Sequence, residues 1–270
     1  MAGLTDYAGT VGIVTGASSG IGAQLARDLA ARGMRVALLA RRLDRLTALA
    51  AEIGAAGGEA WAVECDVAER ASVEAAVAAV LACTGRIDLL VNNAGYGRHV
   101  LFKDHDVADM ERMIRTNLLG PIYAIKAALP AMRSRARGWI VNVSSVAGKL
   151  GQPDEVVYSA TKFAVAGLSE GLAYELTPLG IHVMTVYPAL VRTEMFTPEV
   201  LERMPPRALR TFIEAPEFSR QVLRALERGQ HEVTVPRYVG IAYAIRALFP
   251  AFHRRMTARL RLPVLRDLAT

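Results

Sequence analysis

Short β-branched runs alternate with longer amphipathic stretches rich in alanine and leucine along most of this chain. The runs are TVGIVTG, MRVALLA, AWAVE, DLLVNN, WIVNVSS and HVMTVYP. Between them the spacing of apolar positions predicts helices from about Ile21, from Leu43 to Ala56 and from Ser72 to Cys83. A long helix runs through Asn117 toward Met132, and another surrounds Tyr158. Six strand-plus-helix units in series predict an α/β domain, a doubly wound parallel sheet with helices on both faces. After Pro188 the pattern loosens into RTEMFTPEVLERMPPRALRTF, followed by a helix near Pro216 to Arg228 and a last strand-like run, HEVTVP. No repeat or low-complexity linker interrupts the series, so residues 1–236 are expected to form one domain, with 237–270 as a helical extension.

Charge singles out that extension. The net charge is +6, and residues 237–270 account for all of it: Arg237, Arg246, Arg254, Arg255, Arg259, Arg261 and Arg266 face a single acid, Asp267. The first 236 residues are formally neutral, which argues against a general nucleic-acid surface. Within the tail, VGIAYAIRALF is apolar on nearly every side, and after Pro250 Phe252, Met256 and Leu260 recur every four residues among arginines. Two readings stay open: docking on an anionic bilayer, or packing on the subunit or an oligomer partner with the arginines in water. Cys65 and Cys83 form no disulfide or metal spacing and are expected to be buried thiols in a reducing compartment. The opening MAGLTDYAGT lacks a basic leader, and no run approaches a membrane span, so a cytoplasmic setting is expected.

In doubly wound sheets ligands bind beyond the carboxyl ends of the strands. The first such turn reads TGASSGIG, with Gly16, Gly20 and Gly22 around Ser18, Ser19 and Ile21. Glycines there permit a tight turn, and a helix N-terminus attracts a pyrophosphate, so a Rossmann-type dinucleotide site is expected, against the plain reading of an ordinary strand-to-helix turn. At the end of the second strand Ala40 stands where an NAD-binding acid would be, followed by Arg41 and Arg42. Guanidinium groups fork a 2′-phosphate, which favours NADP (NADPH) over NAD. The alternatives are a solvated helix start, or Asp44 as the displaced acid. In ECDV, Asp66, beside Val67, either accepts from an adenine amino group or caps the next helix.

VNNAG, with Asn92, Asn93, Ala94 and Gly95, follows the fourth strand, and Ser144 and Ser145 follow the fifth. On the next helix Tyr158 and Lys162 lie four residues apart, on one face. This chain has 28 arginines and four lysines, so a lysine at this place is a choice. A phenol with pKa near 10 must fall about three units to act near neutrality, about 4 kcal/mol. One ammonium at about 4 Å supplies that at an effective dielectric of about 20, but only about 1 kcal/mol in water.

TGASSGIG, NNAG, the asparagine of RTNLLG, a serine thirteen residues before the tyrosine, and YSATK together resemble the short-chain dehydrogenase/reductase family, from about Thr10 to Thr193. The resemblance implies an NADP-dependent oxidoreductase moving a hydride between the nicotinamide and an alcohol, ketone or aldehyde carbon. It implies Tyr158 as general acid/base, Lys162 lowering its pKa and holding the ribose, Ser145 binding the substrate oxygen, and Asn117 supporting a proton relay. Ser144 falls outside the family spacing. YPALVRT corresponds to the segment that seats the nicotinamide, so Pro188, Val191 and Thr193 are implied contacts, with Ala189 departing from the family's glycine. A small-molecule substrate, no metal and a homo-oligomer are implied as well. Beyond Thr193, Met195, Phe196, Leu201, Met204, Leu209 and Phe212 form either an apolar lid over a lipophilic substrate or a core-facing helix pair. His99 is a candidate substrate contact. Two non-enzymatic readings remain beside this one: a dinucleotide-sensing regulator, and a peripheral membrane or scaffold protein organised by the tail.

Overall fold

The computed structural model describes residues 3–204 and 206–260. Seven parallel strands form one sheet in the order β3-β2-β1-β4-β5-β6-β7. They are β1 (Val11–Thr15), β2 (Arg35–Ala40), β3 (Glu59–Glu64), β4 (Leu89–Asn92), β5 (Gly138–Val143), β6 (Ile181–Pro188) and β7 (Glu232–Val235). The chain builds outward from β1 in one direction and then, from β4, in the other, so a crevice opens beyond the ends of β1 and β4.

Alternate strand residues feed two cores, because side chains on a strand point to opposite faces. On one face Val14, Leu38, Val91, Val141 and Val186 meet Leu25 and Leu29 of α1 (Gly20–Ala30), Leu46 and Leu49 of α2 (Leu43–Ala55), and Phe218 and Val222 of α9 (Ala215–Glu227). On the other, Val11, Ile13, Leu39, Leu90 and Ile140 meet Val73 and Val77 of α3 (Arg70–Thr84) and Ile125 and Ala128 of α5 (Gly120–Ser134). With both faces covered, β1, β4, β5 and β6 are buried throughout.

Three features depart from what the pattern suggests. The long helix through Asn117 is not one regular helix: α4 (Val107–Ile114) passes through a π-helical turn at Arg115–Leu119 before α5 begins. The extra residue in that turn rotates Asn117 inward, where it is 1% exposed. Cys83 corrects the expectation of two buried thiols: Cys65 is buried, but Cys83 lies on the solvent side of α3 and is exposed. Ala189, in the family's glycine position, is absent from the left-handed region occupied by Ala136 and Asp154, so its backbone is ordinary.

Beyond β6 come α7 (Pro198–Arg203) and α8 (Pro206–Leu209). None of Met195, Phe196, Leu201, Met204, Leu209 or Phe212 joins the buried cores. Phe196 instead packs edge-on against Phe212 at 4.9 Å and stands 6.1 Å from the His99 ring. The core-facing helix pair is therefore not what forms. After β7 the chain continues into α10 (Gly240–Leu248) and α11 (Pro250–Leu260). Arg261, Arg266 and Asp267 lie outside the described residues.

Candidate active site

The turn after β1 shows why it is written in glycines. Gly16 has φ +66°, in the left-handed region. A Cβ on Gly22 would stand 2.4 Å from the Gly16 carbonyl oxygen and 2.5 Å from Asn93 Nδ2, so any side chain would force the turn open. Ser19 precedes α1 in extended conformation without capping it. Its hydroxyl, like that of Ser18, instead accepts from Arg42 at 2.8 Å, which leaves the first helical N–H groups without a side-chain cap. Ile21 packs against the neighbouring core.

Arg42 also reaches Glu194 at 3.3 Å, and Arg45 pairs with both oxygens of Glu194 at 2.8 Å. The two guanidinium groups hold the Glu194 carboxyl below its usual range, hydrogen bonding to Arg45 leading over the opposing effect of burial. Arg41 is exposed at the end of β2. Position 42 is thus the one built into the turn, and Arg45, one helical turn on, is a partner that the sequence motif did not suggest. Asp66 Oδ1 accepts from the Ala68 N–H at 3.0 Å, closing the turn ahead of α3, while Val67 is buried against Gly120.

Thr15, also missed from sequence, ties the first turn to the fourth strand. Its hydroxyl accepts from the N–H groups of Asn93 and Ala94, both at 3.1 Å, and Asn93 Nδ2 donates to Thr15 O. Gly95 follows, and a Cβ there would stand 3.1 Å from Asn117 Oδ1 and 3.4 Å from Lys162 Nζ. Asn117 is held by the loop it faces: Nδ2 donates to Tyr96 O at 2.8 Å, Oδ1 accepts from Tyr96 N at 3.0 Å, and Nδ2 also reaches Thr161 Oγ1 at 3.2 Å.

Helix α6 (Val156–Leu176) carries Tyr158, Lys162, Val165 and Ser169 on one buried stripe, the spacing of a single helix face. Ser144 fixes its position by donating to Lys162 O at 2.8 Å, a structural duty for a serine outside the motif. Ser145 begins the turn at Val146–Gly148 and accepts from Ala147 N at 3.1 Å. Asn117, Ser145, Tyr158 and Lys162 are all buried, at 1%, 8%, 8% and 4% exposure. Lys162 Nζ donates to Val143 O at 2.9 Å and sits 5.6 Å from the centre of the Tyr158 ring.

The electrostatics of this pair are dominated by burial. Desolvation pushes the Lys162 ammonium down to about 8, with no carboxylate compensating. The Tyr158 phenol is pushed well above its ordinary value by burial first and by Glu155 second, while hydrogen bonding to Ser145 pulls it down. Among the protein's own groups, then, the phenol keeps its proton.

Pro188 ends β6, Val191 is buried and bridges to Ile213, and Thr193 lies over Gly20, 3.0 Å from where a Cβ there would be. The residues expected to contact a cofactor thus gather beyond the carboxyl ends of the strands, with Arg42 and Arg45 after β2 and Ser145, Tyr158 and Lys162 after β5. The uncapped helix start, the paired guanidinium groups and an under-compensated buried ammonium suit an anionic dinucleotide. Among the described residues no cluster of His, Cys, Asp and Glu could hold a metal.

Residues 10–203 match the family model described as short chain dehydrogenase. The chain belongs to that family. It is 34% identical over 245 residues to the 11-beta-hydroxysteroid dehydrogenase-like 4A protein of Arabidopsis thaliana, covering 90% of this chain and 81% of that one. A short-chain dehydrogenase from Sphingobium yanoikuyae, solved with NADPH, superposes with a TM-score of 0.78 at 33% identity, covering 92% of this chain and 95% of its own. A family member from Burkholderia phymatum, solved with NAD, gives 0.83 at 26% identity, covering 90% and 95%. This short chain dehydrogenase is an oxidoreductase of CH–OH and C=O groups, and the family uses a nicotinamide cofactor.

Proposed function

We propose that this enzyme transfers hydride between NADP(H) and the carbon of a lipophilic alcohol, ketone or aldehyde, with Tyr158 as general acid/base. The observation that carries the reading is the convergence of the Ser145, Tyr158 and Lys162 side chains at the end of a crevice whose other end holds Arg42 and Arg45. A nicotinamide cofactor held by these residues would supply or accept the hydride. Ser145 and Tyr158 receive the substrate oxygen. In reduction the protonated phenol delivers its proton to that oxygen as the carbon gains hydride, and Lys162 stabilises the phenolate left behind. In oxidation the phenol must first lose its proton, which burial and Glu155 oppose, so the positive charge of Lys162 is needed beside it. Asn117, held by Tyr96 and Thr161 beside Gly95, is assigned the support of a water-borne proton relay to Lys162.

The preference for NADP over NAD rests on Arg42 and Arg45, since a 2′-phosphate can take both forks. Tyr96 and Val157, packed around Tyr158, and Phe196 beside His99 make the substrate side largely apolar. A cytoplasmic setting and a homo-oligomer complete the proposal. Tyr158→Phe should keep NADPH binding, read by fluorescence, and lose turnover by orders of magnitude with a panel of ketones and aldehydes. Near-normal turnover in that variant would remove Tyr158 from the role. NADPH binding with no turnover of any carbonyl by the native protein would favour a dinucleotide sensor instead.

A further inference from the structure

Helices α10 and α11 present exposed apolar side chains that the described residues leave uncovered. No residue of α10 is buried. Tyr238, Ile241, Leu248, Phe249 and Phe252 are 58%, 66%, 72%, 62% and 58% exposed. Leu248, Phe249 and Phe252 lie where α10 turns into α11, and outward-facing large side chains of this density are uncommon on a protein surface. Arginine surrounds them: Arg237, Arg254, Arg255 and Arg259 are exposed, and the sequence from 237 to 260 contains no acid. No helix among the described residues is long and apolar enough to cross a membrane.

We infer that this face docks on an anionic lipid surface, in the plane of the headgroups. Charge decides between occupants. A second copy meeting this face across a two-fold axis would set arginines against arginines, and the rest of the chain carries no net negative charge to offer in their place. An anionic bilayer matches both components, taking the aromatic and aliphatic side chains into the headgroup boundary and the guanidinium groups onto phosphates.

The patch is also fastened to the catalytic loop. Arg246 donates to Lys149 O and stacks 5.2 Å from the centre of the Phe163 ring. Lys149 stands over the Tyr187 ring at 4.2 Å and pairs with Glu232 at 2.5 Å. Lys149 directly follows the turn that Ser145 opens. An open cavity of about 880 Å³ lies between this loop and the two helices, with Phe163, Tyr243, Arg246, His253 and Arg254 on its walls. Docking would therefore bring the loop that follows Ser145 toward the bilayer, the source of the lipophilic substrates proposed above. The docking itself does not depend on turnover, so its test is separable from that reading.

The full chain is floated with phosphatidylcholine vesicles with and without phosphatidylserine, in low and high salt, beside two variants. One carries Leu248→Ser, Phe249→Ser and Phe252→Ser; the other carries Arg254→Glu, Arg255→Glu and Arg259→Glu. The native protein should float with the serine-containing vesicles alone and release in high salt, and each variant should bind roughly tenfold or more weakly. Circular dichroism and NADPH fluorescence confirm that the variants are folded, and single substitutions at Phe249 and Phe252 replace the triple one if it is not. Absence of flotation by the native protein would overturn the inference. So would flotation that survives both variants. A native dimer that the apolar variant converts to monomer, without flotation of either, would assign the face to a second copy.

Discussion

Lys162→Met should make the protein more stable while abolishing its activity. Methionine is unbranched and of similar reach, so it can occupy the lysine's channel without a cavity. Desolvation lowers the ammonium from 10.5 to about 8. At ~1.36 kcal/mol per tenfold change in proton affinity, holding that proton in the folded chain costs about 3 kcal/mol relative to the unfolded one. Against this stands the charge-assisted hydrogen bond to Val143 O, whose loss costs about 2 kcal/mol. The balance is a gain of about 1 kcal/mol near pH 7. Its pH dependence has a definite sign. The folded pKa is depressed, so the unfolded chain binds more protons between about 8 and 10.5, and native stability recovers as pH rises through that interval. Below about 8 the cost is fully present; above 10.5 it is gone, and only the lost hydrogen bond remains. Urea unfolding of wild type and variant across this range would therefore show a gap that favours methionine near neutrality and closes or reverses in alkali. A variant less stable than wild type at pH 7, or a gap indifferent to pH, would refute the claim that an under-compensated charge is stored at this position for function.

Three further outcomes are expected. Arg42→Ala should weaken NADPH binding by about 1 to 3 kcal/mol in fluorescence titration and leave NADH little changed, because it removes a charge-assisted contact to the 2′-phosphate; equal loss for both would make it a folding residue of the Ser18–Ser19 turn. Glu194→Gln should tighten NADPH by about two- to fivefold with NADH unchanged, since an exposed carboxylate pair of about 0 to 1 kcal/mol no longer competes for Arg42 and Arg45; unchanged NADPH affinity would show that the pair does not compete. Gly22→Ala places a methyl group 2.4 Å from Gly16 O, so cofactor binding should fall sharply and thermal unfolding should show a loss of about 1 to 3 kcal/mol; native-like affinity and melting would mean that the turn yields freely.

The sequence by itself determined the sheet and the class of reaction, because both are written in local terms. Strand runs and helical stripes report burial through period alone, so β1 to β7 and the shared face of Tyr158 and Lys162 could be placed before any coordinates. The glycines of TGASSGIG likewise declare a turn, since only they admit its φ angles and close approach. What the tertiary structure decided concerns groups far apart in the chain. Thr15 finds Asn93 across 78 residues, Arg45 finds Glu194 across 149, and Ser144 secures the helix that carries Lys162. No local period encodes such partners, and none distinguishes Arg42, which turns toward the serines, from Arg41. Asn117 needed the π-helical turn to point inward, a one-residue detail invisible to a pattern that reads straight through it. Cys83 and the outward face of α10 show the same limit, because apolar character states what a residue would bury but not whether the fold supplies a surface to cover it. The pKa of Tyr158 was likewise beyond the sequence: whether the ammonium or the desolvation prevails depends on depth and distance, and those exist only once the chain has folded.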